Sequence, residues 1–482
     1  MLLSQLLKNV SYQRHQWHDV DITSIAFDSR EVTAGSLFVA QRGTQVDGHV
    51  YIPQAVSAGA AAIVCEKLPE TNDPSVVYIC CDDSSEALGL IAAAFYGFPS
   101  SKMKLVGITG TNGKTTTATL LHRMMRIQGI HAGLISTIVN KIDDEEIATS
   151  HTTPDAISLN RLLARMVADR CTYCFMEVSS HAIVQRRIAG LHFAGAVFSN
   201  ITHDHLDFHH TMAAYIAAKK QLFDSLPNTA FALTNIDDRN GTVMVQNCKA
   251  KVYTYSLRTV ADFRCKIVEE SFQGMQLQLD GQAVDTPLIG RFNAYNLTAI
   301  YATALLCGTE RNMTLQLLSQ LHPAPGRFAV THGSQKIAIV DYAHTPDALL
   351  NVISTINDIR KKTQHLITVV GCGGDRDHTK RPEMARIAVE GSSQVILTSD
   401  NPRTENPEHI LDDMEAGLSP SQLEKTLRIT DRRSALRTAA RLALPGDIIL
   451  VAGKGHETYQ EINGVKQHFD DMEEIDKILA NN

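Results

Sequence analysis

A chain of 482 residues has room for about three domains, and 44% apolar with 20% charged residues is the balance of a globular protein. A formal net charge of −7 excludes a broad electrostatic attraction to nucleic acid. Nine cysteines over this length exclude a disulfide scaffold and fit reduced thiols in a cytoplasmic protein; the start of the chain does not read as a signal peptide, and no run is long and apolar enough to span a bilayer.

In chain order, strand-like runs at 36–40 and 61–65 bracket a helical run that starts near Ile52. The turn Gly97-Phe98-Pro99-Ser100 breaks the helix ending at Phe95-Tyr96 and sets a first domain at 1–99. From there strands and helices alternate. Residues 105–108 read as a strand and 114–128 as a helix with Gly129 as its C-cap. Strands follow at 175–178, 195–198 and 230–233, so 100–325 is predicted to be a largely parallel sheet with helices on both faces. The helical run 213–223 puts Tyr215, Lys219 and Leu222 on one stripe and Ile216, Lys220 and Phe223 on another. Periodicity leaves open which lysine turns inward, and surface exposure is the ordinary fate of both. The segment Pro323-Ala324-Pro325-Gly326-Arg327 marks a second boundary. Over 326–482 the pattern restarts with strands at 337–340, 366–370, 395–398 and 448–451, and Pro346 opens a helix. The predicted fold class is α/β in three domains, with a central P-loop domain and a Rossmann-like C-terminal domain.

Gly107-Ile108-Thr109-Gly110-Thr111-Asn112-Gly113-Lys114-Thr115-Thr116 lies between a predicted strand and a predicted helix. A glycine-rich turn there offers backbone N–H groups to phosphates, Lys114 can reach the β- and γ-phosphates, and the Thr115 hydroxyl can hold Mg²⁺. The strict P-loop pattern needs glycine at 108, where this chain has Ile108. Glu177 ends a strand, where a carboxylate near a P-loop can bind Mg²⁺ directly or through water. His203, Asp204, His205, Asp207, His209 and His210 cluster without regular zinc spacing, and a solvated loop is the plainer account. Cys171 and Cys174 form a C-x-x-C inside a strand-like run, which favours core packing. In the last unit, polar motifs follow four strands: Asp341-Tyr342-Ala343-His344, Gly373-Gly374-Asp375-Arg376, Asp400-Asn401-Pro402-Arg403 and Gly453-Lys454-Gly455-His456-Glu457. Ligands in doubly wound folds sit at such strand ends.

These motifs, with Met176-Glu177-Val178-Ser179-Ser180-His181, Asp204-His205-Leu206-Asp207, Ala217-Ala218-Lys219 and Arg291-Phe292-Asn293-Ala294-Tyr295-Asn296, carry a resemblance over nearly the whole chain. The chain resembles the Mur ligases, the ATP-dependent muramyl-peptide ligases of bacterial cell-wall synthesis. Their own phosphate loop is similar to G-x-x-G-T-N-G-K-T, which accounts for the departure at Ile108.

The resemblance implies the following site. Gly110, Thr111, Asn112, Gly113, Lys114, Thr115 and Thr116 bind ATP together with Asn293, Arg327, Asp341 and His344. Lys114, Glu177, His205 and Lys219 are catalytic. Lys219 is carbamylated by CO₂ to N6-carboxylysine and joins Thr115, Glu177 and His205 in holding two Mg²⁺ ions. ATP sits between the second and third domains, so that closure completes the site. Phe27, Ser29, Thr44, Gln45 and Val46 form the uridine end of a nucleotide-sugar site. His151, Thr152, Thr153, Ser179, Gln185 and Arg187 meet the rest of that substrate; His151 stands where relatives often have asparagine. Arg376, Asp400, Asn401, Pro402, Arg403, Gly453 and Glu457 form a diaminopimelate site, with Arg376 and Arg403 suited to carboxylate and Glu457 to the distal ammonium. The Asp-Asn-Pro-Arg motif favours diaminopimelate over lysine. The implied reaction adds meso-diaminopimelate to UDP-N-acetylmuramoyl-L-alanyl-D-glutamate through an acyl phosphate, in a cytoplasmic monomer with no nucleic-acid or membrane partner. The 400–403 motif and the uridine-like segment weigh against a folate-glutamate or lysine ligase. The joint presence of Lys114, Glu177, His205 and Lys219 weighs against a nucleotide-gated binding protein that has lost catalysis.

Overall fold

The computed structural model describes residues 1–480 apart from Gln16, Thr44, Gln45, Ser150 and Ser334. Lys104–Thr109 is a strand buried on both faces: Leu105 enters one apolar core, while Val106 and Ile108 enter the other. That pattern needs helices on each side. Lys114–Ile127 and Arg291–Leu306 cover one face, and Ala156–Ala168 and Met212–Asp224 the other. Six neighbouring strands run parallel in the order Lys251–Ser256, Phe231–Asn235, Gly195–Phe198, Lys104–Thr109, Tyr173–Glu177 and Ala132–Ile135.

The expectation of a largely parallel sheet holds for this centre but not for its margins. Phe263–Ser271 continues the parallel run, and Gly274–Leu279 and Gln282–Thr286 then extend it antiparallel. Asn140–Ile142 and Glu145–Ile147 do the same at the opposite edge. The physical reason is turn length. Asp280 (φ +46°) and Gly281 (φ +86°) close a two-residue hairpin, which can only join antiparallel strands.

The last unit has a sheet in the order Ala329–His332, Ile337–Asp341, Ile448–Ala452, Leu366–Val370, Gln394–Leu397 and Thr426–Arg428, parallel after its first pair. Asp341 and Val370 both pair with Ala452, and Val370 pairs with Leu397, so four strands end side by side. The polar motifs therefore share one edge. Pro346 opens the helix Pro346–Ile359, capped by Thr345. The first unit has the strand order Gln13–His15, Val77–Cys80, Ala62–Cys65, Ser36–Val39 and Ser24–Ala26. Its helix Ser84–Phe95 ends before Phe98, whose φ of +53° turns the chain toward the second sheet. Cys171 and Cys174 are buried and unpaired, as core packing requires. Among the described residues, no helix is long and apolar enough to cross a membrane.

Candidate active site

The strand Lys104–Thr109 lies at a topological switch point. The next strand in the chain, Ala132–Ile135, sits beyond Tyr173–Glu177 on one side, and Gly195–Phe198 sits on the other. Crevices form at the carboxyl ends of strands at such points, and the phosphate loop occupies this one. Gly110 has φ +146°, and a Cβ there would overlap Ser199 Oγ. Gly113, with φ +87°, caps Lys114–Ile127, and a Cβ there would overlap Asn296 Oδ1. Asn112 N–H donates to Asn200 Oδ1 at 3.0 Å, while Ser199 Oγ and Asn200 Nδ2 donate to the Asn112 carbonyl at 2.6 and 3.1 Å. The loop is thus braced from the neighbouring strand's end. Lys114 Nζ folds back onto the carbonyls of Gly110 (2.9 Å) and Thr111 (2.7 Å). Desolvation pulls its pKa down, against the attraction of Glu177 and Asp204. Thr115 and Thr116 are buried in the first helical turn.

Glu177 is fully buried at the end of its strand. Its carboxylate accepts from Thr137 N–H at 2.8 Å and Thr137 Oγ1 at 3.2 Å. Thr153 Oγ1 donates to the Glu177 carbonyl at 2.8 Å, Thr137 Oγ1 lies 3.0 Å from Thr152 Oγ1, and Arg187 Nη1 donates to the Thr153 carbonyl at 2.8 Å. Ser179 N–H donates to Thr153 Oγ1 at 3.2 Å. Glu177, Thr152, Thr153, Ser179 and Arg187 therefore belong to one connected hydrogen-bond network. Gln185 is half-buried beside it at the C-cap of Ser180–Val184. Thr137 has no distinguishing sequence pattern and was not predicted.

Within Met212–Asp224, Tyr215, Lys219 and Leu222 are all buried, whereas the other stripe buries Phe223 and leaves Ile216 and Lys220 half-buried. Lys219 is 1% exposed, so the expectation of a surface fate fails for it. Its Nζ donates to the Gly110 carbonyl at 2.8 Å and lies 4.7 Å from the centre of the Tyr215 ring. Desolvation first, and the Lys114 charge second, hold its pKa well below the ordinary lysine value. Lys220 instead pairs with Asp224 one turn on.

The histidine-rich segment is not simply a solvated loop. His209 is buried with Nε2 2.8 Å from Ser180 Oγ, and His205, at φ +54°, caps Leu206–His209. Asp204 Oδ2 lies 3.3 Å from His205 Nε2. Desolvation lowers the His205 pKa, with Lys114, His181 and Lys219 adding to it against Asp204. Burial alone would raise Asp204, but His205, His344, Lys114 and Lys380 together hold it down. Lys380, at the start of Lys380–Gly391, is a contributor that no sequence pattern singled out.

The third sheet reaches the loop through side chains. Asn112 Nδ2 donates to Asp347 Oδ2 at 2.9 Å, and Arg327 Nη2 donates to Thr115 Oγ1 at 3.3 Å. Arg327 also lies over the Tyr342 ring at 4.7 Å. Asp341 is buried, accepts Phe328 N–H at 2.7 Å, and is pushed up to about 6 by desolvation. His344 Nδ1 is 2.8 Å from the Tyr342 carbonyl, and desolvation lowers its pKa to about 4. Asn293, buried in the first turn of Arg291–Leu306, donates to the Ile289 carbonyl at 2.7 Å and accepts from Asn296, the residue packed on Gly113.

At the shared strand ends, Asp400, Asn401, Gly453 and Glu457 meet. A Cβ on Gly453 would stand 2.5 Å from Asp400 Oδ2. Asn401 Nδ2 donates to Glu457 Oε2 at 2.7 Å, and the buried Lys454 Nζ reaches Asn401 Oδ1 at 3.1 Å and Glu457 Oε2 at 3.2 Å. Burial, then Asp400, raises the Glu457 pKa. Glu457, which the resemblance assigns to the distal ammonium of the ligand, has Lys454 beside it. Arg403 holds a left-handed φ of +52° and donates from Nη1 to the Gly374 carbonyl at 2.7 Å. Its backbone is pinned to the hairpin Tyr459–Ile462 and Val465–His468: its N–H donates to the Glu461 carbonyl at 3.1 Å, and Asn463 N–H donates to its carbonyl at 2.6 Å. Gly374 packs on the Pro402 carbonyl, and Arg403 and the exposed Arg376 both lie beside Gly373.

In the first unit Ser29 Oγ donates to Gln54 Oε1 at 3.0 Å, while Phe27 and Val46 are exposed. Thr44 and Gln45 lie outside the described residues. His151 is exposed, with its carbonyl accepting from Thr149 Oγ1 at 2.7 Å.

A phosphate loop at a switch point, faced by a second parallel sheet with polar strand ends, defines a nucleotide-dependent α/β enzyme whose site spans two units. The chain belongs to the Mur ligase family. Family models match it as Mur ligase family, catalytic domain (21–96), Mur ligase middle domain (108–304) and Mur ligase, glutamate ligase domain (326–455). It is 53% identical to the UDP-N-acetylmuramoyl-L-alanyl-D-glutamate--2,6-diaminopimelate ligase of Bacteroides thetaiotaomicron, over 99% of this chain and 100% of that one. With the enzyme of the same name from Parabacteroides distasonis the identity is 56% over 96% and 95%. A solved structure bearing that name aligns over 95% of this chain and 94% of its own, at a TM-score of 0.69 and 35% identity. MurF from Acinetobacter baumannii shares the fold at a TM-score of 0.63 and 18% identity, over 99% and 98% of the two chains.

Proposed function

We propose that this chain joins meso-2,6-diaminopimelate to UDP-N-acetylmuramoyl-L-alanyl-D-glutamate with consumption of ATP, in bacterial peptidoglycan precursor synthesis. The observation that carries the reading is full-length identity above 50% to ligases of that name. The gathering of Asp400, Asn401, Arg403, Gly453 and Glu457 at one sheet edge supports it. Units at 1–99, 100–325 and 326–482 would receive the nucleotide sugar, ATP and the amino acid in turn, and the enzyme acts as a cytoplasmic monomer.

The γ-carboxylate of D-glutamate attacks the γ-phosphorus of ATP, and ADP leaves. The amine of diaminopimelate then attacks the acyl carbon, phosphate departs with the acyl C–O bond, and the amine loses a proton. Lys114, which donates to the Gly110 and Thr111 carbonyls, is free to turn onto the transferring phosphoryl oxygens. Arg327 and His344 approach the same crevice from the third sheet. Asn293 and Asp341 fix the adjoining backbone.

The donor chemistry fits Mg²⁺ on one condition. The Thr115 hydroxyl, the Glu177 carboxylate and the neutral His205 imidazole are suitable ligands, but an unmodified Lys219 is not. Its depressed pKa favours the free amine. That amine adds to CO₂ by forming an N–C bond and releasing a proton, and the resulting carbamate supplies the missing anion. Bound Mg²⁺ would offset the repulsion between the carboxylate nucleophile and the triphosphate.

Phosphate release should require the UDP-muramoyl dipeptide, ATP and diaminopimelate together. Oxygen-18 in the glutamate γ-carboxylate should appear in the phosphate; release of unlabelled phosphate throughout turnover would remove the acyl-phosphate scheme.

A further inference from the structure

The helices Arg432–Leu442 and Asp471–Ala480 both begin on one shielded ion pair. Arg432 Nε and Nη2 donate to the two carboxylate oxygens of Asp471, each at 2.7 Å, and neither side chain has exposed surface. Apolar residues of similar volume often pack such a position without the desolvation penalty. The other contacts of the guanidinium give the pair a further role. Nη2 also donates to the Ala452 carbonyl at 3.0 Å, and Nη1 approaches the Ser399 carbonyl at 3.5 Å. Ala452 immediately precedes Gly453, and Ser399 immediately precedes Asp400. Gly453 and Asp400 are packed together in the strand-end cluster, so that a Cβ on Gly453 would meet Asp400 Oδ2. Asp400 and Glu457 both act on the Arg432 charge.

We propose that Arg432, held by Asp471, is a positioning residue for the amino-acid substrate. It ties the carboxyl ends of Gln394–Leu397 and Ile448–Ala452 together and so fixes the spacing of Asp400 and Asn401 against Gly453 and Glu457. Asp471 neutralises the guanidinium at its own position. Glu457 is then paired with Lys454, which leaves the Asp400 carboxylate as the negative charge for the amino group of the incoming substrate. This inference rests on the ligase reading for the identity of that substrate.

The test is steady-state kinetics on the full chain with each substrate varied in turn. Arg432→Met with Asp471→Asn removes both charges together and nearly keeps the volume. The KM for diaminopimelate should rise about tenfold or more while that for ATP stays within about twofold, the loss expected for a charge-assisted hydrogen bond. Arg432→Lys, which keeps the charge and part of the donor set, should recover some of that loss. Arg433→Ala serves as the comparison, because Arg433 pairs with Glu474 between the same two helices without touching either strand end. It should leave the diaminopimelate KM unchanged. Equal rises in both KM values, or a lower melting temperature with neither KM changed, would overturn the proposal. Should the double variant fail to fold, Arg432→Lys gives the same reading alone, with a selective rise in the diaminopimelate KM expected and a uniform or absent effect overturning it. Wild-type protein assayed first with diaminopimelate, lysine and glutamate separates the two readings. If another amino acid drives phosphate release, the substrate assignment fails, and the Arg432 test is then read on the KM for that amino acid.

Discussion

Lys219 carries an ammonium's worth of chemistry into a place where an ammonium is poorly tolerated. Its neighbours are the Gly110 carbonyl, the Tyr215 ring and the Lys114 charge. Lys219→Ala should lower kcat by at least about a hundredfold, on the scale of losing a group that stabilises transition-state charge. Added short carboxylates should restore part of it. Lys220→Ala should remain near wild type, and rescue of that variant instead would reverse the assignment. Arg403→Ala should raise the diaminopimelate KM by about 10- to 100-fold, the range for charge-assisted hydrogen bonds. The ATP KM should not follow; equal effects on both would end the specificity argument. The residue types of this site were legible in the sequence because phosphate and carboxylate recognition restricts them to glycine, lysine and arginine at set positions. Periodicity did not choose the inward lysine, because Lys219 and Lys220 each share a stripe with apolar residues; the Ala217-Ala218-Lys219 resemblance did. Thr137 was illegible: its N–H and hydroxyl both serve Glu177, yet a threonine in a loop carries no pattern.

Among the elements, the buried parallel strands were the easiest to read, since apolar runs bounded by glycine and polar residues leave few alternatives. The hairpins were missed although their turns were visible. Asp280-Gly281 and Asn463-Gly464 both adopt positive φ at two consecutive residues, the requirement of the tight hairpin turn. The second hairpin has consequences for the site, because it pins the backbone of Arg403. The helix Pro346–Ile359 matters for a related reason. Its Asp347 accepts from Asn112 of the phosphate loop, which links the third sheet to the second. Asp347→Ala should raise the ATP KM about three- to tenfold, in keeping with one net hydrogen bond. The diaminopimelate KM measured at saturating ATP should hardly change. An unaltered ATP KM would mean that this contact does not contribute to nucleotide binding.

At the scale of the whole molecule, burial of histidines couples stability to pH. Desolvation lowers His122 and His344 to about 4 and His456 to about 3. The unfolded chain takes up protons near pH 6.5 that the folded chain refuses, so stability is present above that value and is lost as pH falls toward 4. His122 is 4% exposed, and its Nε2 has no hydrogen-bond partner among the described residues. Its share is up to about 3 kcal/mol. His122→Leu should therefore raise the urea midpoint at pH 5 more than at pH 8; an equal shift at both would assign the effect to packing alone. The sequence by itself determined the alternation of strands and helices, the phosphate loop and the ordered polar motifs, because backbone propensity and ligand chemistry act on neighbouring residues. Only the tertiary structure decided that Lys219 faces Gly110, that Asp347 meets Asn112 and that Arg432 ties Ser399 to Ala452. Those relations join residues 20 to 235 positions apart. They follow from sheet order and helix rotation, which no local run of residues specifies.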